Sequence, residues 1–321
     1  MTVFGEVGKE MRELSDSEWQ QKLEALGDEV GYFERLGKSH SALLAEDGPV
    51  LLVSFEARGG IRARSDAQMP LGYTVAQAGG WSSLTLICSH DTWFRDPAVY
   101  AYFDRLVDEG FFEDFDRVVF YGTGPAGYAA AAFSVTAPGA TVIAIQPQAT
   151  LDPRLSGWDD RFTDMRRTSF SDRYGFAPDM VEGADAGYVI FDPRVTLDAM
   201  HAALFSRAHV TLLPCPNLGL NIERMLNEMD ALEPMLALAC AGRFDAAAFW
   251  RLYRARRNLP RYLRAVATRL ESHERPYLEA LLCRNVARRL NGPRFRSRLT
   301  TLEDQLHAQG IILPEALPIP A

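Results

Sequence analysis

VVFYGTGPAGYAAA, residues 118–131, passes from an apolar run of strand length through a turn with three glycines into an alanine-rich stretch of helical composition. A strand that ends in such a turn and opens a helix is a place where a backbone can cradle a pyrophosphate or present a nucleophile at the tip of a sharp bend. Which of the two applies depends on the surrounding strands.

Six apolar runs of strand length recur along the first two thirds of the chain, at residues 50–55, 84–89, 118–121, 141–145, 188–191 and 210–213. Stretches of helix length, such as DPAVYAYFDRLVDEGFF and TLDAMHAALFSR, separate most of them. Continuous apolar strands alternating with helices predict a mostly parallel sheet buried on both faces. Ahead of it, HSALLAEDGPVLLVSFE holds two apolar runs joined at Glu46, Asp47 and Gly48, which reads as an antiparallel hairpin. Ser15 with Glu18 three residues later is a capping-box pattern and predicts a helix start. Beyond residue 220 strand signals stop. Helical patterns take over, with Pro260 and Pro276 placed to open helices. The expectation is a three-layer α/β domain over residues 1–240, a helical segment over 241–321, and a loosely held proline-rich end, LPEALPIPA.

Composition narrows the function classes. The chain has 321 residues, 47% of them hydrophobic, ample for a large core. Its first residues lack a basic and apolar leader pattern, and no apolar run has the length of a membrane span, so a cytoplasmic protein without a membrane partner is expected. Cys88, Cys215, Cys240 and Cys283 are widely separated and lie among apolar residues, which reads as small core hydrophobes with no disulfide framework and no metal site. Net charge is −8, but residues 251–298 carry 14 arginines against three glutamates, a local +11 that leaves −19 on the remainder. Arginines and aromatics crowd FWRLYRARRN, so residues 250–298 are expected to meet a second copy of the chain or another acidic protein. Overall acidity and the lack of an aromatic-basic stacking pattern argue against nucleic acid.

Gly122, Thr123, Gly124, Pro125, Ala126 and Gly127 fit G-x-G-x-x-G in the required strand–helix context. The match resembles the flavin-binding turn of FAD-dependent oxidoreductases, which implies an FAD or NAD(P) pyrophosphate at the helix N-terminus. In that family an acid ends the next strand and holds the ribose; here Gln146 stands there and Gln148 follows, two amides placed either to hydrogen-bond a ligand or to order that loop.

The same turn also resembles the strand–turn–helix of the α/β-hydrolase superfamily, and this likeness extends over roughly residues 50–226. It implies a serine at Gly124, an acid at Asp192 or Asp198 after the fifth of the six runs, and a histidine at Leu220 after the sixth. It also implies a backbone N–H after the nucleophile, where Pro125 has none. Only the acid has a counterpart, so serine hydrolysis is not expected, and whether the chain is an enzyme stays open. A non-catalytic or repurposed hydrolase fold without a cofactor, acting by ligand or protein binding, is the reading preferred. The oxidoreductase is the alternative. His90 and Asp91, at the end of the second run, are further candidates for a binding cleft, while His201 reads as a packed or surface histidine.

The whole chain is also similar to a group of bacterial proteins that carry the name phosphoadenylyl-sulfate reductase. Such reductases use an S-G-G-x-D-S loop and an E-C-G-x-H cysteine, and both motifs are missing here.

Overall fold

The structure is a computed structural model that describes residues 11–290 and 292–315. From residue 316 onward the proline-rich end lies outside the described residues, as does the N-terminal decapeptide.

The apolar runs form one eight-stranded sheet: β1 Gly31–Leu36, β2 His40–Ala45, β3 Val50–Ala57, β4 Ser82–Cys88, β5 Arg117–Thr123, β6 Thr141–Ile145, β7 Ala186–Phe191 and β8 Val210–Pro214. Their order across the sheet is β1-β2-β4-β3-β5-β6-β7-β8. β2 is antiparallel to both its neighbours and every other pair from β4 to β8 is parallel, so β2 alone runs against the rest. This order and these directions are of α/β-hydrolase type. β5, which carries the glycine turn, lies between β3 and β6 inside the sheet. A separate nucleotide domain would begin a sheet with that strand.

The expected hairpin is corrected by one strand. β2 and β3 do not pair; β4 lies between them. The antiparallel hairpin is β1–β2, turning at Gly37, whose φ of +64° suits glycine. β1, GYFERL, escapes a reading by apolar runs because it is an edge strand that leaves most of its residues at least partly exposed.

Helices α1 Asp16–Val30, α2 Arg58–Arg64, α3 Leu71–Gly79, α4 Pro97–Asp108, α5 Pro125–Phe133, α6 Thr196–Leu204, α7 Ile222–Glu228, α8 Leu232–Cys240 and α9 Ala246–Tyr253 precede, connect or follow the strands. Ser15 and Glu18 form the capping box at the start of α1. Along β3, Leu51, Val53 and Phe55 join the large core with the aromatic residues of α4 and α5, including Phe103 and Phe133. On the other face Ser54 bonds Glu56 and Thr85, and Gly72 of α3 leaves room for it: a Cβ there would lie 2.2 Å from the Ser54 hydroxyl. All four cysteines are buried, and none is joined in a disulfide among the described residues. No helix among the described residues is long and apolar enough to cross a membrane.

The chain divides into two compact units, Met1–Leu252 and Tyr253–Ala321, so the first unit runs past residue 240 and through most of α9. The second unit contains α10 Pro260–Ser272, α11 Pro276–Leu290 and α12 Pro293–Ala308, with Pro260 and Pro276 at helix starts. Its core is Ala280, Cys283, Leu302 and Leu306. Buried Glu279 receives two hydrogen bonds from the Arg298 guanidinium, at 2.6 and 3.0 Å.

Candidate functional site

Chain connections leave β3 toward β4 on one side and return to β5 on the other, so the carboxyl ends of β3 and β5 flank a topological switch point, where open α/β sheets place ligands. A cavity of about 520 Å³ lies there. Glu56 and Ala57 from β3, Thr123 to Ala126 from the glycine turn, and Gln146 and Gln148 after β6 contribute to its walls, closed by Arg161, Phe162 and the segment 220–224.

The turn itself is governed by three glycines with different duties. A Cβ at Gly122 would lie 2.1 Å from the Ala126 carbonyl oxygen, and one at Gly127 2.9 Å from that of Ile145. Both residues therefore let α5 press against the sheet. Gly124 differs: φ is +56° and ψ −122°, while a Cβ would meet nothing within 4 Å. The position is strained for any side chain yet sterically open to one. Its N–H donates to the Ile145 carbonyl, and Pro125, which follows as the first residue of α5, has no N–H to offer.

The other sequence candidates separate into committed and free groups. Gln146 is buried in the left-handed region at φ 49°. Its Nε2 donates to Asp198 Oδ2 at 2.8 Å and to the Gly219 carbonyl at 3.3 Å, and its Oε1 accepts from the Ile222 N–H at 3.0 Å. Gln148 accepts from the Trp93 indole N–H at 2.9 Å and donates to the Gln146 carbonyl. Asp192, buried after β7, accepts from the N–H groups of Arg194 and Gly219. The acid thus ties down the segment in which Leu220 stands, and Leu220 is 64% exposed. Thr123 is half-buried on the wall, and Asp91 is exposed at the rim. His90 is exposed, bonded to Ser89, and does not line the cavity.

Two ionic arrays that the sequence reading missed complete the site. In one, Arg64 bridges Glu56 at 2.9 Å and Glu223 at 3.2 Å, and the Tyr121 hydroxyl donates to Glu223 at 2.7 Å. Burial works against the Arg64 charge, but the two carboxylates outweigh it and keep the guanidinium protonated. Burial, reinforced by Glu223, pushes the Tyr121 phenol well above its usual range, so it stays a donor. In the other, Arg161 pairs with Asp198 at 2.6 Å and grips Asp159, which also accepts from His201 at 3.0 Å. His201 is fully buried; its Nδ1 accepts from the Ala149 N–H, which places its proton on Nε2. Burial holds its pKa below the usual value, with Asp159 opposing. Gly60, in the helix that follows β3, also lines the cavity.

No protein-family model matches this sequence, and no curated protein matches it. Among solved structures the chain is similar to the thermophilic carboxylesterase EstE1 from a metagenomic library, at 13% identity and TM-score 0.40 over 72% of this chain and 97% of that one. It is similar to a hormone-sensitive lipase from a metagenome library, at 16% identity and TM-score 0.44 over 75% and 97%. Esterase LipW from Mycobacterium marinum matches at 14% identity and TM-score 0.44 over 77% and 89%. With TM-scores this low the likenesses add nothing to the fold assignment, which rests on strand order and direction.

Proposed function

We propose that this chain is a repurposed α/β-hydrolase fold that binds a small polar ligand in the cavity at the switch point and does not hydrolyse esters through a serine. The observation that carries the reading is Gly124: the sharp turn between β5 and α5 is kept, the space above it is open, and no side chain is there to attack. Support comes from Pro125, which has no N–H for an oxyanion, and from Asp192, which is spent on the backbone of the loop bearing Leu220. The lining of the cavity suits a ligand with both donors and acceptors, since Arg64, Arg161, Glu56, Asp198 and Glu223 all reach it. The Gln146 amide, already bonded at both ends where a ribose-holding acid would stand, favours this reading over FAD or NAD(P), whereas the helix–sheet contact of Gly127 fits either.

The test has two arms. Incubation with a fluorophosphonate probe and with p-nitrophenyl esters should give no labelling and no turnover above background. A thermal-shift screen of amino acids, dicarboxylates and nucleotides should find a saturable ligand whose stabilisation is lost in Arg161→Ala. Stoichiometric covalent labelling would refute the non-hydrolytic reading, and a purified protein carrying flavin would establish the oxidoreductase instead.

A further inference from the structure

The helical unit has a cavity of its own, about 590 Å³, among α10, α11 and the start of α12. Pro260, Ala267, Cys283, Pro293 and Phe295 give it an apolar lining. Burial pushes the Cys283 thiol up to about 11, so the thiol itself adds no negative charge, and the carboxylates on the walls, Glu271 and Glu279, are both paired with Arg298. Two arginines, Arg264 and Arg294, border the cavity and are exposed, and neither has a carboxylate or other polar partner among the described residues. The remaining charges are already engaged: Arg298 is held by Glu279 and lies 3.1 Å from Glu271. An apolar chamber of this size bordered by two uncommitted guanidiniums matches a ligand with an apolar body and an anionic head. Arginine is suited to that head, because its planar fork can grip a carboxylate with two parallel bonds.

We propose that this cavity binds a medium-chain carboxylate, the chain lying against Ala267 and Phe295 and the head group held by Arg264 and Arg294. The site is independent of the switch-point cavity and stands whether or not that cavity binds a ligand. Isothermal titration of the full chain with sodium dodecanoate, kept below its micelle concentration, tests it. One site per chain is expected, with acetate inert because it has no apolar body. The double variant R264A/R294A, altered only at exposed side chains, should keep its circular dichroism and weaken binding at least about tenfold, the loss of a charge-assisted pair. Ala267→Trp should fill the chamber and block binding, whereas Arg224→Ala in the other cavity should leave the affinity unchanged. Absence of dodecanoate binding overturns the proposal. So does an affinity unchanged in R264A/R294A, or equal affinity for dodecan-1-ol, which lacks the charge. Binding of a short oligonucleotide with dodecanoate inert would assign the two arginines to nucleic acid and overturn it as well.

Discussion

At the scale of single residues, three glycines in one turn make separable predictions. Gly124 has room for a Cβ but a left-handed backbone, so Gly124→Ser should cost about 1–2 kcal/mol of stability. In thermal unfolding that corresponds to a loss of a few degrees, about 2–4 °C per kcal/mol. Its p-nitrophenyl acetate hydrolysis should remain at background, since Leu220 cannot take a proton and Pro125 has no N–H to donate a hydrogen bond to an oxyanion; a burst of nitrophenol would contradict this. Gly122→Ala forces a methyl group onto the Ala126 carbonyl, and about 3 kcal/mol or more should be lost by urea unfolding. The ordering of these two variants matters more than either value. If Gly122→Ala proves milder than Gly124→Ser, the packing account of the turn is wrong.

At the scale of elements, Gln146 joins three of them. Its amide links the end of β6 to Asp198 near the start of α6 and to both ends of the segment 219–222. A non-glycine residue at φ 49° persists only where its surroundings hold it, and those three bonds do so. Gln146→Ala should therefore destabilise the protein by about 2–3 kcal/mol, because the Ile222 N–H and the Asp198 carboxylate lose a buried partner. Hydrogen exchange should localise the effect, with faster exchange at Ile222 and little change in β3 and β4. Uniform acceleration across the sheet would show that Gln146 supports the whole fold rather than this loop. The sequence placed Gln146 correctly after a strand and marked it as a ligand-binding candidate. What it could not reveal is that the amide is consumed internally, since its partners lie 52 to 76 positions away.

At the scale of the whole molecule, two buried histidines couple stability to pH. Burial holds both His201 and His40 below the ordinary 6.5, opposed by Asp159 and Asp96 respectively. The unfolded chain then binds protons more readily than the folded one, so the contribution of these groups is present above about pH 6.5 and is lost as pH falls through their folded-state values. The unfolding free energy from urea titrations should be flat from pH 8 to 7 and fall below about pH 6.5, by at most about 1.4 kcal/mol per pH unit for each histidine, with the midpoints moving down accordingly. His201→Gln, which can still accept from Ala149 and donate to Asp159, should make the decline shallower. A midpoint that rises on acidification from pH 6.5 to 5 would reverse the assigned sign.

Local sequence determined the parallel strands from β3 to β8, the helix starts at Ser15, Pro260 and Pro276, and the strand–turn–helix around Gly124. Each depends on residues within a few positions of one another: apolar runs long enough to be buried on both faces, proline at a first helical turn, glycine where a backbone must bend. The pairing of β1 with β2, the insertion of β4 between β2 and β3, and the assembly of Arg64, Arg161 and Glu223 around one cavity, with Tyr121 bonded to Glu223, were decided by tertiary structure. No local pattern specifies them, because strand neighbours are chosen by which buried faces fit across the sheet, and a buried charge is tolerated only when folding brings its partner from elsewhere in the chain.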